Sequence, residues 1–244
     1  MRVNRSHAAA AAVSLLFAAC AQSPRAASDD SMSSRGSSTT GAAATDSGGW
    51  RSLFDGRTLS GWRAYRGTTP TGWRAVDGTL VRESGGGDIV TEDVFRDFEL
   101  ELEWKVREGG NSGIMYRVTE DAENGYESGP EMQVLDDAKH ADGKSRLTAA
   151  GALYGLYPAP TGAVKPAGEW NQARIVVRGN HVEHWLNGVK TAEAEMNGPE
   201  WNAKVAASKF NEWPGYAKAR EGRILLQDHG DWVAYRNIRI RPLS

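Results

Sequence analysis

The sequence has a single cysteine, Cys20, in 244 residues, so no disulfide can form within the chain. It has no excess of basic residues either: the formal net charge is -2 and the pI is about 6.2. Binding to nucleic acid needs a basic surface that neutralises phosphates, so a nucleic-acid partner is not expected. The sequence also lacks Cys-x-x-Cys, His-Glu-x-x-His and Gly-x-Ser-x-Gly motifs. Their absence argues against zinc, thiol-redox and serine-hydrolase chemistry.

Long hydrophobic runs are missing as well. The apolar stretch at residues 8–19 has about 12 residues, whereas a membrane-spanning helix needs about 20. Two arginines precede this stretch and small residues follow it, which is the pattern of an export signal. Residues 1–19 are therefore predicted to be a signal peptide. Residues 16–20 resemble a bacterial lipobox, which implies cleavage before Cys20 and acylation of that cysteine; an ordinary secretory signal is the alternative.

The next segment has too few apolar side chains to fold. Residues 21–49 contain no aromatic residue and are rich in Ser, Ala, Gly, Thr and Asp. Residues 20–49 are therefore predicted to be the lipidated cysteine and a flexible tether, with a reach of roughly 30 Å. The protein is expected to be exported and anchored to a bacterial membrane. Ala21 is not the aspartate associated with inner-membrane retention, which favours the outer membrane facing the periplasm.

From residue 50 onward, short apolar runs alternate with polar residues, and Gly, Asn, Asp or Pro interrupts them about every ten residues. In residues 98–106, five apolar side chains take one face of an extended chain and four charged side chains take the other. One short helix is predicted, at 201–209. These features indicate an all-β fold over residues 50–244, a two-sheet antiparallel β-sandwich of the jelly-roll, concanavalin-like type. The other predicted strands are 79–82, 88–91, 113–118, 130–135, 172–178, 181–186, 223–228 and 233–241.

One predicted strand carries two polar side chains on a single face. Alternation in residues 130–135 places Glu131 and Gln133 together, and Met132 with Val134 on the opposite side. A solvated outer face is the ordinary interpretation of such a pair. A binding surface is the alternative.

A Gly-rich turn leads into a second strand of interest, at 113–118. The alternation predicts that Ile114, Tyr116 and Val118 share a face and that Arg117 points the other way. A guanidinium group has a planar array of donors that suits sugar hydroxyls or an oxyanion. A surface ion pair explains the same residue equally well.

The C-terminal part adds two histidines to the candidates. Gln227 and His229 share a face near the end of the strand at 223–228, and a histidine there can exchange protons near neutral pH. The alternative is a turn residue that bonds a nearby carboxylate. His184 is equally ambiguous, because the adjacent Trp185 fits a core as well as a sugar-binding surface.

Taken together and in order, nine segments of residues 50–242 resemble the 3-keto-disaccharide hydrolase family. The resemblance covers nearly the whole predicted domain and implies a concanavalin-like jelly roll whose concave sheet holds a sugar. The segments are Trp50 to Gly56, Leu59 to Trp62, Gly109 to Arg117, Glu131 to Asp136, Ala152 to Gly155, Gly168 to Asn171, Leu186 to Gly188, Leu226 to Gly230 and Arg236 to Ile240.

The resemblance implies cleavage of glycosides whose glucose unit carries a ketone at C3. That ketone acidifies the proton on C2, so a base can remove it, the enolate can expel the C1 substituent, and water can add to the resulting enone. Such a route needs one base, one group that stabilises the enolate oxygen and one acid. Retaining glycosidases instead need two carboxyl groups about 5 to 5.5 Å apart. The related glucanase motif Glu-x-Asp-x-x-Glu is here Glu131-x-Gln133-x-x-Asp136, which favours elimination and hydration.

On this resemblance Glu131 and His229 are predicted to be the base and the acid, in either order. Arg117, Lys209 or a bound divalent cation would stabilise the enolate, although the sequence does not identify ligands for a cation. No cofactor is predicted. The expected partners are an oxidised glucoside, the membrane and a separate sugar 3-dehydrogenase. A lectin-like module without activity and an ordinary glycoside hydrolase are the alternatives. The residues expected to contact substrate are Asn111, Ser112, Gln133, Tyr154, Lys209, Gln227 and His184.

Overall fold

A computed structural model of the chain describes residues 48–243. The predicted signal peptide, Cys20 and most of the tether lie outside these residues, so export and lipidation stay predictions. No helix within residues 48–243 is long and apolar enough to cross a membrane.

The described chain is built mainly from short strands. Each of the nine predicted strands is present, with ends shifted by at most two residues. The predicted helix at 201–209 is divided into an α-helix and a 3-10 helix, Lys209–Glu212; two further 3-10 helices are Gly125–Glu127 and Ala141–Lys144. The elements are β1 (Arg51–Ser52), β2 (Trp62–Ala64), β3 (Trp73–Val76), β4 (Thr79–Arg82), β5 (Ile89–Thr91), β6 (Phe98–Val106), β7 (Asn111–Val118), β8 (Glu131–Leu135), β9 (Asn171–Arg178), β10 (His181–Leu186), β11 (Val189–Glu195), α1 (Pro199–Ala206), β12 (Arg223–Leu226) and β13 (Val233–Pro242).

The strands form two antiparallel sheets, which confirms the predicted sandwich. The larger sheet has the order β11-β10-β9-β6-β13-β4-β3, with β1 added against β13. The smaller sheet has the order β2-β5-β12-β7-β8. Neighbouring strands are often far apart in the sequence, as with β6 beside β13. The polar residues of β7, β8 and the end of β12 are therefore brought together only by the fold.

Strand β6 follows its alternation pattern closely. Leu100, Leu102 and Trp104 are buried in the core between the sheets. The glutamates between them face outward and pair with arginines of the neighbouring strands, as Glu101 does with Arg239 at 2.6 Å. This sheet therefore has one apolar face and one charged face.

In the smaller sheet, every residue of β7 and β8 is buried. Ile114 and Met132 face the core between the sheets. The free edge of β8 is covered by later parts of the chain: the backbone N–H groups of Gly151 and Tyr154 donate to the carbonyl oxygens of Gln133 and Glu131. The polar side chains of Asn111, Glu131 and Gln133 are buried as well.

The alternation of β7 breaks at Arg117. This residue has a left-handed φ of 53°, and the pairing of β12 with β7 shifts register beside it. Ile114 and Tyr116 lie in the core, as predicted, but Val118 packs with Met115 in a small cluster outside it. The prediction that Ile114, Tyr116 and Val118 share a face is wrong for Val118, because the extra residue of the bulge reverses the side-chain direction.

Candidate active site

A cavity of about 190 Å³ lies against β7 and β8. It brings together the Asn111, Glu131 and Gln227 side chains, which come from three separate strands or strand ends. Seven of the predicted substrate-contacting or catalytic residues line it, together with three residues that the sequence did not single out. The lining residues are Asn111, Tyr126, Glu131, Gln133, Asp142, Tyr154, Lys209, Phe210, Gln227 and His229.

Glu131 is the most unusual residue of this cavity. Its side chain is buried, with 8% relative exposure. Gly113 on the neighbouring strand makes room for it, since a Cβ at that position would lie 2.2 Å from Glu131 Oε1. Within the described residues, no side chain or backbone N–H donates a hydrogen bond to this carboxyl group. The carboxyl group therefore occupies the space that Gly113, which has no side chain, leaves open.

The electrostatic surroundings keep Glu131 protonated at neutral pH. Burial raises its pKa to about 8. The positive charge of Lys209 works in the opposite direction, and the negative charges of Asp88 and Asp142 add to the increase. Burial also raises the pKa of Asp88, to about 6. A glutamate whose pKa lies near the working pH is suited to proton transfer.

Lys209 lies across the cavity on two aromatic rings. Its Nζ is 4.7 Å from the Tyr154 ring centre and 5.5 Å from that of Phe210. Burial raises the pKa of Tyr154 to about 12, so this residue stays a neutral donor. The aromatic support holds an ammonium group beside a carboxyl group without pairing the two directly.

The loop that carries His229 is fixed by an ion pair behind it. Arg82 pairs with Asp228 at 2.6 Å and donates to the carbonyl oxygen of Gly230. Asp228 also accepts hydrogen bonds from the backbone N–H groups of Gly86 and Gly87, at 3.1 and 3.0 Å. The backbone of Gly86 and Gly87 therefore holds the His229 loop in place. His229 itself is exposed, with Nδ1 3.9 Å from Asp231.

Asn111 is 2% exposed and is held by a histidine that the sequence did not single out. His140 Nδ1 accepts a hydrogen bond from the backbone N–H of Asp142 at 3.1 Å, so the proton of a neutral ring is on Nε2. That Nε2 lies 3.4 Å from Nδ2 of the Asn111 amide, and Asn111 Oδ1 has no partner among the described residues. Because two N–H groups cannot bond each other, the contact is satisfied when rotation of the amide exchanges its oxygen and nitrogen. The amide oxygen is the group that can accept from Nε2–H. Asn111 then has its NH₂ group available as a donor for a ligand of the cavity.

Two clusters in the described residues have the composition of a cation site. His140, His229 and Asp231 bring one ligand atom each within 4.8 Å of the others, beside the cavity. A nitrogen and oxygen set of this kind suits a transition metal, but His140 would have to give up its hydrogen bond from Asp142 to coordinate one. The second cluster is on the β10–β11 hairpin, where Lys190 pairs with Glu183 and Glu193.

Arg117 does not line the cavity. Its guanidinium group donates to the carbonyl oxygens of Arg96 and Gly179, at 3.0 and 2.7 Å, and lies 3.3 Å from Asp97. It thus joins the start of β6 to the turn between β9 and β10. The bulge at Arg117 directs the side chain there, away from the predicted contact with an enolate.

Ser112 and His184 also face away from the cavity. Ser112 Oγ donates to the carbonyl oxygen of Gln227 at 2.6 Å and lies 2.7 Å from the hydroxyl of Tyr235. His184 Nε2 lies 3.1 Å from the Tyr116 hydroxyl, and burial lowers the pKa of His184 to about 4. Ser112 therefore supports the backbone of Gln227, and His184 is a neutral core residue.

Gln133 lines the cavity, but its side-chain amide already has hydrogen-bond partners. Its Nε2 donates to the carbonyl oxygen of Thr148, and its Oε1 accepts from the backbone N–H of Val134. Asp136, the last residue of the glucanase-like motif, accepts from the N–H groups of Gly109 and Ala138 and is not among the lining residues. The motif thus leaves Glu131 as its one unpaired acid.

The sequence did not single out Tyr126, Asp142 and Phe210. Tyr126 and Phe210 belong to 3-10 helices in long connections, and Asp142 belongs to a third. No periodic pattern in such segments indicates which side chains turn inward. A larger cavity, of about 530 Å³, lies on the outer face of the eight-stranded sheet, but its acids Glu101 and Glu103 are paired with arginines. Its lining therefore offers no unpaired carboxylate.

Comparison with known proteins identifies the family of this chain. A protein of Bacteroides thetaiotaomicron named 3-keto-disaccharide hydrolase is 36% identical over 232 residues, which covers 82% of this chain and 80% of that protein. Two crystal structures of candidate glycosyl hydrolases from Parabacteroides distasonis are each 32% identical. The first covers 81% of this chain and 95% of its own, with a TM-score of 0.76, and the second covers 80% and 99%, with a TM-score of 0.63. Residues 49–241 match the 3-keto-alpha-glucoside-1,2-lyase-like domain, and the chain belongs to that family.

Proposed function

We propose that this protein cleaves 3-keto-glycosides, 3-keto-disaccharides among them, by proton abstraction at C2, elimination and addition of water. The observation that carries the proposal is the buried carboxyl group of Glu131, which lies in a sugar-sized cavity without a hydrogen-bond donor from the described residues. The family and the name of the curated relative support the substrate class.

In the proposed first step, the Glu131 carboxylate takes the proton from C2. The electrons of the C2–H bond form an enolate whose charge lies on the C3 oxygen. The NH₂ group of Asn111 and the ammonium group of Lys209 stabilise that oxygen, because fixed donors act strongly in a cavity shielded from water. Arg117 has no part in this step, since its donors are used elsewhere.

In the second step, the C3 carbonyl forms again, a double bond forms between C1 and C2, and the C1–O bond breaks. The leaving oxygen takes a proton, for which His229 is the proposed acid. Water then adds its oxygen to C1 and gives one proton to His229, and C2 regains a proton from the Glu131 carboxyl group. The products are 3-keto-glucose and an alcohol, so one water is consumed for each bond cleaved.

The proposed base must lose its own proton before it can act. With a pKa of about 8, Glu131 is mainly protonated at pH 6. We therefore expect kcat/KM to increase with pH and to level off above about pH 8, because this quantity reports the ionisation of the free enzyme. A profile that is flat between pH 6 and 9 would exclude Glu131 as the base.

An ordinary glycoside hydrolase is the second candidate, because Asp142 gives the cavity another carboxyl group beside Glu131. Incubating residues 48–244 with a 3-keto-glucoside and with its unoxidised parent separates the possibilities. Release of the alcohol from the keto form alone supports the proposal. Release from both supports the ordinary hydrolase, and binding without release supports a lectin-like module.

We also propose that the activity is exported and anchored through Cys20, where a separate sugar 3-dehydrogenase supplies the ketone. The basis is the N-terminal sequence pattern alone. Full-length protein should incorporate labelled palmitate and sediment with membranes, and Cys20→Ala should prevent both. Labelling of the Cys20→Ala variant would refute anchoring at this residue.

A further inference from the structure

The cavity that holds Glu131 is too small for a whole disaccharide. Its volume is about 190 Å³, whereas pockets that enclose drug-sized ligands have roughly 300 to 1,000 Å³. It therefore accommodates about one sugar ring. In the proposed reaction that ring is the oxidised one, and the group bound to its C1 must lie outside.

A second, larger cavity of about 500 Å³ lies next to the first. Two segments of chain form it, residues 119–128 and 213–219. The two cavities share an aromatic wall: Tyr126 lines the first, Trp213 lines the second, and their ring centres are 5.3 Å apart. Both residues are half-buried, so each is partly accessible from solvent.

The wall between the cavities is supported from the core. Phe210, which also lines the first cavity, lies 6.0 Å from Trp213 and stacks on buried Tyr216 at 4.2 Å. The backbone N–H of Ala217 donates to the carbonyl oxygen of Ser128 at 2.8 Å and so joins the two segments. The wall is therefore formed before any ligand arrives.

We propose that this second cavity is the leaving-group subsite: it binds the sugar or other polar alcohol attached to C1, with Trp213 as the contact surface. The proposal rests on the function proposed above. An aromatic surface with a few polar groups is typical of sites for small polar ligands, and Asp121, Glu127 and Lys218 provide those groups here. Because Asp121 and Lys218 are exposed, the subsite is open at one side and accepts leaving groups of different length.

The test compares two substrates that differ only in the leaving group, a 3-keto-disaccharide and methyl 3-keto-glucoside. Trp213→Ala should lower the kcat/KM for the disaccharide, relative to the kcat/KM for the methyl glucoside, by about tenfold, which corresponds to about 1.4 kcal/mol. Trp213→Phe, which keeps a ring, should recover most of that loss. Trp232→Ala is the matched control, because Trp232 contacts Lys105 and Arg107 and lines neither cavity.

Binding measurements separate the subsite from the proposed chemistry. In a Glu131→Gln background, calorimetry should show that Trp213→Ala weakens binding of the disaccharide about tenfold more than binding of the methyl glycoside. Equal weakening of both, or no change in either, would overturn the subsite. If wild-type protein cleaves neither keto substrate, the proposed function fails, and the selective loss in binding still decides the subsite.

Discussion

Glutamates on opposite sides of the sandwich have opposite surroundings. Glu103, on the outer face of the larger sheet, pairs with Arg236 at 2.6 Å and accepts from Asn237 at 2.7 Å. Burial opposes its ionisation, but these partners prevail and lower its pKa. Glu131, on the smaller sheet, is buried without such partners, and its pKa rises to about 8.

The presence or absence of a basic partner decides the role of a glutamate in this fold. The outer glutamates repeat every second residue and each has an arginine on a neighbouring strand, as with Glu99 and Arg241. These ion pairs join neighbouring strands and stabilise the sheet. On the neighbouring strand, Glu131 faces Gly113 where the outer glutamates face an arginine. Its burial opposes ionisation and leaves the carboxyl group free to react.

The largest difference between the two faces should appear in turnover. Glu131→Gln keeps the shape of the side chain but removes the base, so we expect kcat/KM on a 3-keto-glucoside to fall by about 10² to 10⁴-fold. Glu101→Gln, the control, breaks an outer pair with Arg239 and should leave turnover unchanged. The melting temperature of Glu131→Gln should not fall below that of wild type; a large decrease would assign Glu131 to structure.

A smaller effect should follow from filling the space beside Glu131. Gly113→Ala places a Cβ 2.2 Å from Glu131 Oε1 and must move the carboxyl group. Displacement of a catalytic group by about 1 Å costs up to about 10²-fold in rate. Because only the end of a flexible side chain has to move, thermal stability should change little. Gly85→Ala, where a Cβ meets nothing within 4 Å, is the control. Equal kcat values for the two variants would contradict this assignment.

The smallest effects concern stability against pH, and they should have opposite signs on the two faces. Between the ordinary value of 4.5 and about 8, folded Glu131 keeps a proton that the unfolded chain releases, so its contribution to stability is lost as pH rises. Glu103, with a lowered pKa, contributes stability that is lost as pH falls.

Melting curves from pH 4 to 9 check these signs. The difference between Glu131→Gln and wild type should grow in favour of the variant toward high pH. Glu103→Gln should be less stable than wild type near neutral pH and approach it in acid. If the difference in melting temperature from wild type changed with pH in the same direction for both variants, the two glutamates would not have opposite surroundings.

Much of this fold is readable from local sequence patterns. The strand at Phe98–Val106 and the shared face of Glu131 and Gln133 follow from alternation alone, and both are found. The edge strand Val189–Glu195 is missed because its Ala and Glu residues do not favour a strand, and pairing with β10 overrides their preference.

Local sequence patterns predict less of the candidate site than of the fold. Arg117 turns away because of a left-handed backbone conformation, which a periodic pattern does not encode. Asp142 reaches the cavity because Gly143 allows its loop to pack on Asp137, where a Cβ would lie 2.1 Å from the carbonyl oxygen. The direction of Arg117 and the position of Asp142 depend on local backbone conformation and on contacts between loops, which the alternation pattern of the strands does not report.

Asp228 accepts hydrogen bonds from the backbone of Gly86 and Gly87 and from Gly230 of its own loop, and Arg82 holds both loops through it. Two surface loops that share one ion pair should open as a single cooperative unit. Amide hydrogens of Gly86, Gly87 and Gly230 should then exchange with solvent at similar rates, and one substitution at Arg82 should speed all three. The order of the proposed acid, His229, is thus linked to a turn about 140 residues earlier in the chain.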